Sequence, residues 1–347
     1  MIEMEMPMVS KLIARLAGLL FLIFLTTTAS AATIKIATIS PEGSMWMEKM
    51  RKGADQVAKE TENRVTIKFY PGGVMGNDNA VLRKVRIGQL QGGAFVAGSL
   101  SQFFPANQIY AQPFKFKSLE EVDYIREFLD PYIIEGLDNA GFVVFGIIGG
   151  GFAYIMSKEP IETVADLRKR KVWIPDNDHI SQDSIKVFGI TPIPLPISDV
   201  RTSLQAGLID TIGTSPMGAV VLQWHTQIKY VMNIPLIYLY AVLAIDKPQF
   251  MKIDAPDRGI ITRVMTSALS EIDIQNRKDD IEAVETLKSR GITFTTPSKQ
   301  NLDEWYRIAG QASLEMVDSG ILPRDVVDKL NGHLEAFHSK NKKADGQ

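Results

Sequence analysis

Catalysis needs nucleophiles, metal ligands or paired acids at workable spacing, and this chain offers few. Its four histidines, His179, His225, His333 and His338, stand in no H-E-x-x-H or similar spacing, which argues against a zinc site. The absence of cysteine excludes disulfides, thiolate metal sites and a catalytic thiol. Ser215 in "GTSPMG" sits near glycines, but no base is paired with it by spacing and no G-x-S-x-G elbow occurs. "FVVFGIIGGG" is a strand followed by glycines without G-x-G-x-x-G spacing. The "FAYIMS" after it reads as another strand, not the helix that a pyrophosphate needs. Asp176, Asn177 and Asp178 are hard oxygen ligands in series, but they lack the EF-hand grammar. A turn and N-cap before "HISQDSIKVFG" is the better reading. What remains is binding chemistry. Trp173 lies between the basic run 168–171 and that polar turn, as core or as the floor of a site.

The whole chain narrows the choice. A net charge of −2 argues against a nucleic-acid binder, which carries a basic patch or a high pI. Lys11 and Arg15 precede the apolar residues 16–25, and Ala29-Ser30-Ala31 forms a small-x-small site. That order predicts a signal peptide over residues 1–31, cleavage before Ala32 and a periplasmic product. The apolar stretch is too short to span a bilayer comfortably, and no other segment approaches that length.

The elements that must position Trp173 alternate between strand and helix, which predicts an α/β architecture with a largely parallel sheet. Residues 33–39 read as a strand. Ser44 caps a helix in which Trp46, Met50, Ala54 and Val57 recur at helical spacing. Ser118 and Glu121 stand in capping-box spacing, and Pro131 is expected to break or kink the helix they open. Glycines 149–151 read as a crossing between lobes. Past Asp257 a stretch without proline predicts one helix of about 45–50 Å, long enough to brace two lobes. The final residues, "HSKNKKADGQ", read as frayed.

In this order the segments resemble one family. "IKIATISPEGSMWMEKMRKGADQVAKET", "VTIKFYPGGVMGND", "LRKVRIGQLQGGAFVAGSLSQFFP", "ADLRKRKVWIP" and "FGITPIPLPISDVRTSLQAGLIDTIGTSP" are similar to the DctP-type solute-binding proteins of tripartite ATP-independent periplasmic (TRAP) transporters. The resemblance covers residues 33 to about 330. It implies a two-lobe α/β periplasmic-binding-protein fold with hinge strands and a long helix spanning both lobes. Lobe I would be residues 32–151 plus about 243–285, and lobe II residues 152–242 plus about 286–340. The cleft would close on a small organic ligand for delivery to TRAP-type membrane permease subunits, without enzymatic turnover or a cofactor.

The departures from the family pattern bear on the cargo. The resemblance implies a carboxylate-gripping arginine where this chain has Trp173, often another near Phe152, and an asparagine-proline where Ser215-Pro216 stands. An unpaired buried carboxylate costs several kcal/mol, while an aromatic contact returns only ~0.5–1.5 kcal/mol beyond area burial. Lys171 is one substitute cation, expected to point to solvent. A more apolar or aromatic ligand follows, stacked by Trp173 and Phe152, with Trp46, Tyr154, Asn177, Ser215 and Tyr240 completing the wall and Trp224 left in the core. The other readings are a binding protein of another uptake or sensing system for an organic acid, or an exported enzyme.

Overall fold

Alternating burial of Ile34 and Ile36 sets the first strand, β1 (Ala32–Ala37), which pairs in parallel with β2 (Val65–Tyr70). The computed structural model describes residues 31–176 and 178–345, so the expected signal peptide, but for Ala31, lies outside the described residues. Between β1 and β2 runs α1 (Met45–Glu60), capped by Ser44, whose hydroxyl accepts from the Met47 N–H. Met47, Met50, Ala54 and Val57 form its buried stripe. Asn77 caps α2 (Asp78–Arg86), which leads into β3 (Gly92–Val96).

The 3₁₀ stretch Pro105–Ala111 precedes α3 (Leu119–Asn139). Ser118 caps α3, but Glu121 Oε2 accepts from Lys117 N–H at 2.7 Å, so the expected reciprocal box is displaced by one residue. Pro131 does not break this helix. It and Glu127, four residues earlier, are exposed, so the carbonyl that loses its donor is placed toward water.

The glycine-rich stretch is not a break between two strands. It lies inside one 16-residue strand, β4 (Phe142–Ser157), with register shifts at Val144/Ile147 and Gly149/Gly151. Then follow α4 (Val164–Leu167), β5 (Trp173–Pro175), α5 (His179–Val187) and β6 (Ile193–Leu195). Next come α6 (Val200–Ala206), stopped by left-handed Gly207, and β7 (Thr211–Thr214). Ser215 caps α7 (Pro216–Val221), followed by β8 (Tyr230–Met232), β9 (Ile237–Asp246) and α8 (Lys247–Phe250). The chain ends with α9 (Ala255–Ser289), β10 (Thr293–Thr295), α10 (Lys299–Asp318) and α11 (Arg324–Asp345). Helix α11 runs on where a frayed end was expected. Its anchor is α3, where Phe128 and His333 stack at 4.0 Å and Tyr124 meets Phe337.

The main sheet has the order β10-β8-β4-β9-β3-β1-β2, with β7 also on β4. Residues 142–153 of β4 pair with β9 in the first lobe, and residues 154–157 pair with β7 and β8 in the second. One strand thus passes between the sheets of two α/β lobes. Helix α9, 35 residues and about 52 Å long, packs on α1 in the first lobe and α7 in the second.

Candidate functional site

Where the lobes face each other they enclose a cavity of about 530 Å³. The first lobe supplies the β1–α1 turn from Thr38 to Trp46 and the end of β3. The second supplies Trp173, Trp224 and the Ser215–Leu222 stretch. Strands β4 and β9 form the floor around Ile148, Gly150 and Tyr240, and α9 closes one side with Asp279, Glu282 and Ala283. Trp173 and Trp224 meet edge to face at 5.2 Å, so the second-lobe wall is a paired indole surface.

Of the residues expected in this wall, Trp46, Trp173, Ser215 and Tyr240 line the cavity. Trp173 is also part of the second lobe's core at 4% exposure, and its Nε1–H donates to Leu195 O at 2.9 Å. The indole N–H is therefore engaged, leaving the ring to present to the cavity. Trp46 donates likewise to Asn276 Oδ1, at 2.8 Å, and the Tyr240 hydroxyl donates to Asn107 Oδ1 at 3.0 Å.

Phe152 and Tyr154 do not line the cavity, which corrects the expected wall. Gly150 is unpaired in the ladder, which shifts the register of Phe152 by one residue. Phe152 sits opposite Tyr238 and packs edge to face with it at 5.7 Å, inside the core. Tyr154 is half-buried between two core clusters, its ionisation pushed up by burial and by nearby Asp280. Asn177 lies outside the described residues. Lys171 is exposed, away from the cavity, and its ammonium donates to Gly207 O at 2.8 Å.

Trp224 and Gln108 line the cavity without a sequence signal that marked them as wall, and Asp178 of the polar turn lines it with them. Trp224 follows a short apolar helix and looks like core, which it also is. Gln108 belongs to an irregular 3₁₀ segment that carries no periodicity. Asp178 is the N-cap of α5, as the sequence implied, but its carboxylate does more. Its Oδ1 accepts from Gln108 Nε2 at 3.0 Å across the seam between lobes, while Asn77 Nδ2 donates to Asp176 Oδ2 at 3.0 Å. Gly98 leaves room for the first bond, since a Cβ there would stand 2.8 Å from Gln108 Nε2. A second cavity of about 140 Å³ lies on the core side of Trp173, lined also by Ile185, Phe188 and Trp305.

Charge is distributed unevenly. No arginine, lysine or histidine is among the described residues lining the large cavity, whereas Asp178, Asp279 and Glu282 are. Behind the floor, Arg126 is held by Asp130 at 2.8 Å and Asp273 at 3.1 Å and donates to Ile147 O. Asp273 also accepts from Gly149 N–H, and Asn276 Nδ2 donates to Gly149 O. A Cβ on Gly149 would lie 2.0 Å from the Tyr238 hydroxyl, so only glycine fits this clamp. Nearby, Asp280 accepts from Met217 N–H at 3.0 Å, and burial pushes its carboxyl up to about 6. Asp78, under the first-lobe side of the seam, is also pushed up to about 6 by burial, against the opposing bonds from Ser99 and Val96 N–H. The described residues contain no group of three or more His, Asp or Glu side chains able to hold a metal ion.

A model of the bacterial extracellular solute-binding proteins, family 7 (DctP), matches residues 36–319. This chain belongs to that family. Its two-lobe fold is that of TRAP solute-binding proteins. A TRAP periplasmic solute-binding protein from Haemophilus influenzae with bound L-gulonate superposes with a TM-score of 0.80 at 20% identity, covering 87% of this chain and 99% of that one. DctP7 of Bordetella pertussis, a solute receptor binding pyroglutamic acid, gives 0.79 at 20% identity over 88% and 100%. YiiZ of Salmonella typhimurium is 25% identical over 55% of this chain. This DctP-family chain spans about three fifths (61%) of the length of that relative. Family and fold are those of substrate-binding proteins, not of enzymes.

Proposed function

We propose that this DctP-family protein is an extracytoplasmic solute-binding protein that closes its lobes around a small organic ligand and delivers it to a TRAP-type permease. The ligand is more apolar or aromatic than a C4-dicarboxylate. The observation that carries this reading is the wall of the 530 Å³ cavity, a Trp173–Trp224 pair facing Trp46 and Tyr240 without a basic residue among the described lining. A cavity of this size suits a one- or two-ring compound. Two neighbours in fold carry L-gulonate and pyroglutamic acid, both acids, so cargo is where this protein departs from them. The reading places it in the periplasm after removal of residues 1–31. Lobe I comprises residues 32–151 plus about 243–285 and lobe II residues 152–242 plus about 286–340, with α11 reaching back onto α3.

The test is a calorimetric screen of mature protein against aromatic compounds, acid sugars and C4-dicarboxylates, with mass spectrometry of whatever co-purifies. Aromatic or apolar compounds are expected to bind best. Tight binding of succinate or malate would sink the cargo assignment, and turnover of any bound compound would sink the binding-protein reading.

A further inference from the structure

Beyond apolarity, the cavity carries a charge preference. We propose that it selects a neutral or cationic aromatic ligand, an aryl-alkyl amine or its alcohol, and discriminates against the corresponding carboxylate. This rests on the reading of the cavity as the ligand site.

Three carboxylates lie on the wall, and none of Asp178, Asp279 and Glu282 enters an ion pair with a described residue. Asp178 accepts from Gln108 and Ser181 and Asp279 from Gln275, all neutral donors that leave the negative charge uncompensated. Asp279 and Glu282 stand three residues apart on one face of α9, with Ala283 and Thr286 beside them in the wall. The same cavity carries an aromatic surface suited to a cation over a ring face. The donors that could serve an anion are largely committed. The indole N–H groups of Trp46 and Trp173 and the Tyr240 hydroxyl donate to protein oxygens. The Gln108 amide turns its nitrogen to Asp178, which sets its oxygen, not a donor, on the remaining side, and no described residue donates to that oxygen. Hydroxyls of Thr38, Ser40, Ser44, Thr214 and Ser215 remain on the wall, while that of Tyr238 accepts from Arg126 at 3.3 Å. They can orient an alcohol or an amine as readily as an anion, and they cannot offset three negative charges.

The experiment holds the ring constant and varies the head group: tryptamine, indole-3-ethanol and indole-3-acetate, with succinate and glucuronate as controls, measured by isothermal titration calorimetry. Wild-type protein is compared with the double variant Asp279→Asn/Glu282→Gln. The expected result is that tryptamine and the alcohol bind, with the acetate weaker by about tenfold or more. In the double variant tryptamine weakens severalfold, the acetate tightens, and the alcohol moves least of the three. Indole-3-acetate binding as tightly as tryptamine overturns the charge preference while the apolar cargo stands. An equal shift of all three probes in the variant also overturns it, because a loss of shape moves them together. Binding of succinate or glucuronate in place of every indole, or of none of the five, overturns both readings.

Discussion

The two sides of the β4–β9 floor handle charge in opposite ways. Behind it, Arg126 is enclosed by Asp130, Asp273, a carbonyl and the Tyr238 hydroxyl, and the Gly149 peptide is held at both ends. In front of it, carboxylates face aromatic rings with no cation among the described lining. A buried charge that is fully partnered fixes geometry, and one partner cannot be removed without stranding the others. A wall whose carboxylates have neutral donors but no cation is suited to a solute that brings its own charge. The back of the floor is built to hold one arrangement and the front to be completed by something else.

The largest loss is expected behind the floor. Arg126→Ala leaves two largely buried carboxylates without their cation, so chemical denaturation should show a loss of about 3–5 kcal/mol. Trp173→Ala removes a 4% exposed side chain shared by core and cavity. A loss of about 3 kcal/mol in stability is expected, together with weakened ligand binding by calorimetry. Trp173→Phe should recover most of the stability and less of the affinity. Binding that survives Trp173→Ala unchanged would leave the ring a purely structural one.

Asp280 makes stability depend on pH. Its carboxyl titrates at about 6 in the folded protein, above its unfolded value near 4. Between those values the folded state holds more protons than the unfolded state, so stability falls as pH rises through that window and the penalty is fully present above it. Asp280→Asn keeps the acceptor for Met217 N–H and should raise stability at pH 7.5 by about 1–2 kcal/mol while flattening the slope between pH 4 and 6. Thermal melts across that range check the sign, with Asp78 contributing a residual slope of the same direction. The smallest effect is at the seam. Asp176→Ala removes the acceptor of the Asn77 bridge while leaving the Asn77 cap of α2 in place, and should cost about 1 kcal/mol of lobe contact, read as a more expanded particle in small-angle scattering.

Much of the scaffold was legible because local signals and tertiary demands agreed. The Ser44 cap, the stripe of α1, the glycine stop at 207 and the uninterrupted α9 are all written in short-range pattern. Trp173 was legible as a choice between core and wall, and the fold makes it both. Phe152 enters the expected wall through the resemblance alone, as the neighbour of a family arginine, and the fold instead packs its ring against Tyr238 in the core. Trp224 and Gln108 lay beyond reach for another reason: they enter the wall only because distant segments converge, and nothing in their own neighbourhoods encodes that meeting.

Helix α9 is anchored in both lobes. On the first lobe Gly53 brings α1 so near that a Cβ there would sit 3.3 Å from both Ala268 and the Met265 sulfur. On the second lobe Leu287 is fully buried in the core, and the Met217 N–H donates to the Asp280 carboxylate. The helix therefore acts as a tie-beam held at both ends, and Asp279 and Glu282 sit on the span between its two anchors, at the wall of the cavity.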